Sequence, residues 1–192
     1  MYKFVLAGVS ALFMTAAACA QSNQTMNNTS SNSNILVACF SATGTTARIA
    51  EKVAAATGGT LYAITPAEPY TAADLDWTDK HSRSSREMND PKARPELAGK
   101  EIDMARYEVI FVGYPIWWDL APRIVETFLD RYDLRGKILI PFATSGGSGI
   151  ANSAAALKKA YSQAVWRPGR LLNRASEAEV RAWVEQVMEA EN

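Results

Sequence analysis

The sequence predicts an α/β protein built on a doubly wound parallel sheet, and three observations carry that expectation. Apolar runs such as Ile35–Phe40 and Val109–Gly113 are continuous, as in strands covered on both faces. The segments between such runs space their apolar residues at helical intervals. Strand and helix patterns alternate from residue 35 onward, the order that produces a parallel sheet with right-handed crossovers and helices on both faces.

Each element has its own signal. Ile35-Leu36-Val37-Ala38-Cys39-Phe40 reads as the first strand. Thr46, Ile49, Ala50, Val53, Ala54 and Thr57 mark a helix that Gly58-Gly59 stops. Leu61–Ile64 reads as the second strand and Val109–Gly113 as the third. Ala121, Ile124, Val125, Phe128 and Leu129 form one helix face. Lys137–Phe142 reads as the fourth strand, and residues 150–161 as an Ala-rich helix. A short fifth strand is expected between Ala164 and Leu172, interrupted near Pro168-Gly169. Ser176 opens the last helix, with Glu179 completing a capping box. The apolar face of that helix is Val180, Trp183, Val184, Val187 and Met188. Thr65 to Met104 is a long connection rich in Pro, Asp and Arg, and connections of that length are functional or partly structured.

The bulk numbers fit one globular domain. The chain has 192 residues, 48% of them hydrophobic. Its 20 basic and 20 acidic residues cancel, and no basic stripe is visible, which argues against a nucleic-acid partner. The first residues read differently. Lys3, the apolar run Phe4–Ala18 and the small residues around Ala20 give the charge, apolar and small-residue order of a secretory signal peptide over residues 1–20. The run is too short to span a bilayer comfortably. Ala18-Cys19-Ala20 fits cleavage after Ala20, whereas Ala16-Ala17-Ala18-Cys19 resembles a bacterial lipobox that would lipidate Cys19. Residues 21–34, almost all Ser, Asn, Gln and Thr, read as a polar flexible tether ahead of a domain at 35–192. The expectation is an exported protein, periplasmic or anchored to a membrane through Cys19. Cys39 is then the single internal thiol, so no intramolecular disulfide framework supports the fold.

Ligands of doubly wound sheets bind beyond the carboxyl ends of the strands. Three loops occupy such positions: residues 41–46, 114–120 and 144–149. In the first, Ser41, Ala42, Thr43, Gly44, Thr45 and Thr46 join a buried strand to a helix N-terminus. Its hydroxyls and backbone N–H groups, with the partial positive charge of the helix end, suit a phosphate monoester held without Lys or Arg. Gly44 lets the backbone turn tightly. No Gly-Lys-Ser/Thr follows, so this is not a Walker A loop. The plain alternative is an ordinary Ser/Thr-capped helix.

Ser41, Thr43, Gly44 and Thr46 match the Ser/Thr-x-Thr-Gly-x-Thr phosphate loop of the flavodoxins, and the chain resembles that family in element order over residues 35–190. The resemblance implies a three-layer α/β/α fold, five parallel strands in the order 2-1-3-4-5, and non-covalent flavin mononucleotide (FMN). Cys39 stands where flavodoxins often carry an aromatic residue and reads as a small buried hydrophobe.

The second loop, with Pro115, Ile116, Trp117 and Trp118, resembles the second FMN loop of flavodoxins and the Pro-x-x-Trp segment of flavin quinone reductases. Adjacent Trp residues on one loop cannot both enter the core, so at least one is expected on a surface or in a pocket. An indole suits stacking on an isoalloxazine ring, and packing on the following helix is the alternative. The third loop carries Thr144, Ser145, Gly146, Gly147 and Gly149, and the resemblance places it at the ring edge. Ser82-Arg83-Ser84-Ser85-Arg86-Glu87 reads first as local ion pairing of its arginines with Glu87, Asp90 or Asp79. The sharper alternative is a lid that selects the partner. His81 has no neighbour in sequence that would make it a catalytic acid.

The resemblance implies electron transfer to a redox partner protein, and the expected signal peptide would place it outside the cytoplasm. The alternative is an FMN-dependent oxidoreductase that reduces a small acceptor such as a quinone. A third reading is a flavin-free binding module. Residues 114–120 contain no Gly and the chain is not acidic, two departures from flavodoxins that bear against one-electron shuttling. No side chain stands out as a general acid or base, which fits chemistry carried by a cofactor, and no metal ligand set is apparent.

Overall fold

The structure is a computed structural model that describes residues 34–189. The expected signal peptide, Cys19 and nearly all of the tether lie outside the described residues. From Asn34 onward the elements follow in the order β1 (Ile35–Cys39), α1 (Thr45–Thr57), β2 (Thr60–Ala63), α2 (Arg83–Asn89), β3 (Val109–Pro115), α3 (Arg123–Asp130), β4 (Ile138–Thr144), α4 (Ala151–Ala160), β5 (Val165–Trp166), β6 (Arg170–Leu171) and α5 (Glu177–Glu189). The sheet is parallel in the order β2-β1-β3-β4-β5, and β6 also pairs with β4. β5 and β6 are the halves of the expected interrupted strand, separated by Arg167-Pro168-Gly169.

Alternation along the strands divides the core into two layers. Leu36, Ala38, Phe40, Ile110, Val112 and Tyr114 pack under α3, α4 and the 65–104 connection. Ile35, Val37, Cys39, Phe111, Ile140 and Phe142 pack under α1 and α5. β1 and β3 are buried on both faces, which is why their sequences are continuous apolar runs. β2 is an edge strand, and Leu61 is 46% exposed on it. Gly113 is required by packing: a Cβ there would drive into the Phe142 ring on the neighbouring strand.

Several boundaries differ from the sequence reading for identifiable reasons. β3 runs on through Tyr114 and Pro115, which pair with Ala143 and Thr144 of β4, so the second loop starts later. Ala121 is buried but precedes α3, because Pro122 with φ −59° and ψ 144° keeps the chain extended until Arg123. Met188 is only partly buried, at the end of α5. Within the 65–104 connection, the described structure includes turns at 71–79, the helix α2, a bridge between Pro66 and Leu97, and a 3₁₀ turn at Met104–Arg106. Arg94 ties the connection to α3 through Glu126 at 2.9 Å and Asp130 at 2.5 Å. Among the described residues no helix is long and apolar enough to cross a membrane.

Cys39 is buried in the α1/α5 layer, and burial pushes its thiol from 9.0 up to about 12. Its folded-state value lies above the unfolded one, so the stability it contributes is present below pH 9 and is lost as pH rises toward about 12. Tyr114, raised by burial from 10.0 to about 12, acts in the same direction. Cys39 of the folded protein is expected to resist iodoacetamide at pH 8 and to react once the chain is unfolded, and the protein is expected to lose stability above pH 9. Rapid labelling at Cys39 itself in the native chain at pH 8, located by peptide mapping, would contradict the burial of this thiol.

Candidate functional site

The reversal of strand order between β1 and β3 opens a crevice at their carboxyl ends. A cleft of ≈ 600 Å³ lies there. Of the residues expected at the site, Ala42, Thr43, Thr45, Thr46, Pro115, Ile116, Trp117, Trp118, Thr144, Ser145, Gly146 and Gly147 line it. All three loops therefore meet at one place. The cleft continues into a depression of ≈ 860 Å³ bordered by Arg48, Asn173 and Arg174, so two cations stand near a loop that itself has none.

The β1–α1 loop presents its backbone to this space. None of the N–H groups from Ala42 to Ala47 has an acceptor among the described residues, and neither do the hydroxyls of Ser41, Thr43 and Thr45. The first helical N–H groups cannot pair within the helix, and among the described residues no side chain caps this one. Gly44 has φ 83°, left-handed backbone that favours glycine. A Cβ at Gly44 would meet nothing within 4 Å, so the demand for glycine comes from this φ and not from neighbouring protein atoms. Thr46 is buried, and its Oγ1 shares a 2.8 Å hydrogen bond with Thr144 Oγ1, fixing the first loop to the end of β4.

The second loop is a tight hairpin. Trp117 and Leu120 exchange two backbone hydrogen bonds of 2.9 Å across Trp118 and Asp119. Both central residues have positive φ, 45° and 63°, in a turn that normally takes Asn or Gly. Each such residue costs on the order of 1 kcal/mol, a strain that concentrates at functional sites. Asn152 of α4 donates to the Asp119 carbonyl at 3.2 Å. Trp117 is half-buried, in edge-on contact with Phe40 at 5.6 Å and Tyr70 at 5.3 Å. Trp118 is 45% exposed, so the pair divides between core edge and open cleft.

The third loop is shaped by Ser145, whose Oγ accepts the N–H groups of Gly147 at 3.1 Å and Ser148 at 2.8 Å. Its own N–H donates to Asn173 Oδ1 at 2.7 Å. A Cβ at Gly146 or Gly147 would meet no protein atom within 4 Å, so the space beside these glycines is open.

Ser41, Gly44 and Gly149 stand apart from the cleft lining. Ser41 follows Cys39 on the alternating exit from β1 and faces a separate depression of ≈ 290 Å³ with Ala47 and Tyr62, while Ala42 follows Phe40 to the cleft side. Gly44 contributes backbone, and Gly149 leads into α4. Ser148, within the expected 144–149 loop, also lines the cleft. Leu75, Trp77 and Ser84 of the 65–104 connection line it as well without having been named as cofactor-binding residues, although Ser84 lies in the Ser82–Glu87 segment whose sharper reading is a lid. Arg83 does pair with Glu87, at 2.7 Å, as the simpler reading of that segment expects. Among the described residues no group of three or more His, Cys, Asp or Glu could hold a metal ion.

The family profile described as Flavodoxin matches residues 34–187. The chain belongs to the flavodoxin family. Among solved structures, this flavodoxin is similar to a candidate flavoprotein from Bacteroides eggerthii DSM 20697, with 60% identity, TM-score 0.79, and coverage of 83% of this chain and 100% of that one. A second candidate flavoprotein, from Bacteroides uniformis ATCC 8492, shares 55% identity at TM-score 0.78, covering 79% and 97% of the two chains. A flavoprotein from Lactobacillus acidophilus NCFM, solved in complex with FMN, shares the fold at 18% identity and TM-score 0.64, covering 82% and 99%. No curated protein sequence matches the chain.

Proposed function

We propose that this flavodoxin binds FMN in the cleft and works as a redox protein. The observation that carries the proposal is the run of N–H groups at 42–47 without acceptors among the described residues, beside a cleft lined by Trp117, Trp118 and glycines with open space above them. The residues fit the group. A phosphate monoester is an anion whose oxygens accept from several N–H groups at once, at the positive end of α1. Trp118 and the Ser145–Gly147 turn line the same cleft and would flank a flat ring held there. When bound, FMN supplies reversible one- and two-electron chemistry. The chain's part is to hold the phosphate, cover the ring and exclude water on the Phe40–Trp117 side.

Electron transfer to a redox partner outside the cytoplasm is the first assignment. Reduction of a small acceptor is the second, and the extra wall from the 65–104 connection favours it, because a walled cleft suits a small molecule better than a docking protein. Stepwise reduction of the FMN-loaded chain separates them. A populated one-electron state followed by a distinct second step supports shuttling, and a single two-electron step supports small-acceptor reduction. Export rests on residues 1–20 and the anchor on Cys19. Cys19→Ser is expected to move the protein from the membrane to the soluble fraction, and continued membrane association would end the anchor assignment.

Gly44→Val is expected to weaken FMN binding more than 10-fold while the chain still folds, because the left-handed turn at φ 83° is strained for a β-branched residue. Riboflavin, which lacks the phosphate, should lose far less. Unchanged FMN affinity in the folded variant would remove the phosphate from this loop.

A further inference from the structure

The 65–104 connection reaches the cleft through Leu75, Trp77 and Ser84. It is held there firmly. Tyr70 packs edge-on against Trp117, donates to Glu87 at 2.5 Å, and lies under the Arg83 guanidinium at 4.1 Å. Burial and the Glu87 contact together push the Tyr70 phenol well above its ordinary value, so it stays a donor. The Ser84 N–H donates to the Asp74 carbonyl at 3.0 Å, joining α2 to the turns that carry Trp77.

At the N-terminal end of α2 three serines, Ser82, Ser84 and Ser85, are buried, and their hydroxyls are not equivalent. Ser82 Oγ accepts the Ser85 N–H at 3.2 Å and donates to Ser85 Oγ at 2.9 Å, while the Ser85 hydroxyl donates to the Asp79 carbonyl at 2.7 Å. Those two are spent on capping the helix. Ser84 is 2% exposed, yet its hydroxyl has only a 3.5 Å contact with Ser82 Oγ among the described residues, at the outer limit of a hydrogen bond. A buried hydroxyl without a good partner is costly, and Ser84 is one of the residues that line the cleft. Beside it, Trp77 is 75% exposed, a large apolar surface left to water at the mouth of the same cleft.

We propose that Ser84 and Trp77 are the residues through which the 65–104 connection grips the cofactor. The Ser84 hydroxyl hydrogen-bonds a polar edge atom of the flat heteroaromatic ring system, and Trp77 covers apolar ring surface. This rests on the FMN reading above and adds ring-recognising residues beyond the three strand-end loops. The site selects for a ring with a hydrogen-bonding edge, independently of the phosphate.

The test is titration of the full chain with FMN and with riboflavin, followed by flavin fluorescence, alongside thermal melts of the flavin-free protein. Ser84→Ala is expected to weaken both flavins by about 3- to 10-fold. Its flavin-free melting temperature should stay level or rise, because a poorly paired buried hydroxyl is removed. Trp77→Ala should weaken both flavins on the order of 10-fold with no change in flavin-free stability. Ser85→Ala is the control and should lower flavin-free stability while leaving affinity within about 2-fold. If the wild type binds FMN and riboflavin but Ser84→Ala binds both equally well, the assignment is overturned while the FMN reading stands. It is also overturned if the affinity loss of Ser84→Ala comes with a drop in flavin-free stability like that of Ser85→Ala. A wild type that binds neither flavin overturns the FMN reading and this assignment together.

Discussion

Consecutive backbone N–H groups at 42–47 have no acceptor of their own among the described residues, and much of the molecule serves to hold them in place. An N–H group sealed in a dry core without a partner would cost about 1–3 kcal/mol. Here Ala42, Thr43, Thr45 and Thr46 line a cleft, where water or an anion can accept from such groups. Their position is fixed from below by β1, an interior strand of the sheet, and from the side by α1 packed with α5. Lys52 of α1 donates to the Ala175 carbonyl at 2.6 Å, just ahead of α5. The Thr46–Thr144 hydrogen bond ties the same loop to β4. A site that binds by backbone geometry needs such anchoring, because its donors cannot adjust as side chains do.

The second constraint is topological. A parallel sheet covered on both faces sends every strand toward the same rim, and the reversal between β1 and β3 leaves a gap in the helical cover there. Loops distant in sequence meet at that gap for the same reason that the strands are apolar throughout. The strained Trp118-Asp119 turn fits this picture: it is over-determined by the Trp117–Leu120 hydrogen bonds and by Asn152. Rigidity at the hairpin leaves Trp118 partly exposed to the cleft at no further ordering cost.

Much of this was legible in the sequence because it is local. Continuous apolar runs identified the strands, Gly58 marked the end of α1, and the Ser176–Glu179 capping box is present, with Ser176 Oγ accepting the Glu179 N–H at 3.2 Å. The Ser/Thr-Gly loop, the Trp pair and the Gly-rich loop each carried their own composition. What stayed hidden depends on tertiary context. The continuation of β3 through Pro115 is decided by its partner Thr144, and the side of the sheet that Ser41 faces is decided by strand alternation beyond the last ladder residue. The approach of Trp77 and Ser84 to the cleft depends on Tyr70, Arg83 and Glu87 locking the connection onto Trp117, an arrangement no local pattern encodes.

Whether the 41–46 loop holds a phosphate monoester through backbone donors is read from phosphorus NMR of FMN bound to the full chain across pH 5–8. Free phosphomonoesters titrate with a pKa of about 6. A phosphate held by several N–H groups at a helix N-terminus is kept as the dianion, so its folded-complex pKa falls below that of the free ligand. The expected result is a bound resonance that stays constant through this range and is displaced from that of free FMN. A bound ligand whose phosphorus still titrates near pH 6 at the free chemical shift would place the phosphate in solvent and contradict the account.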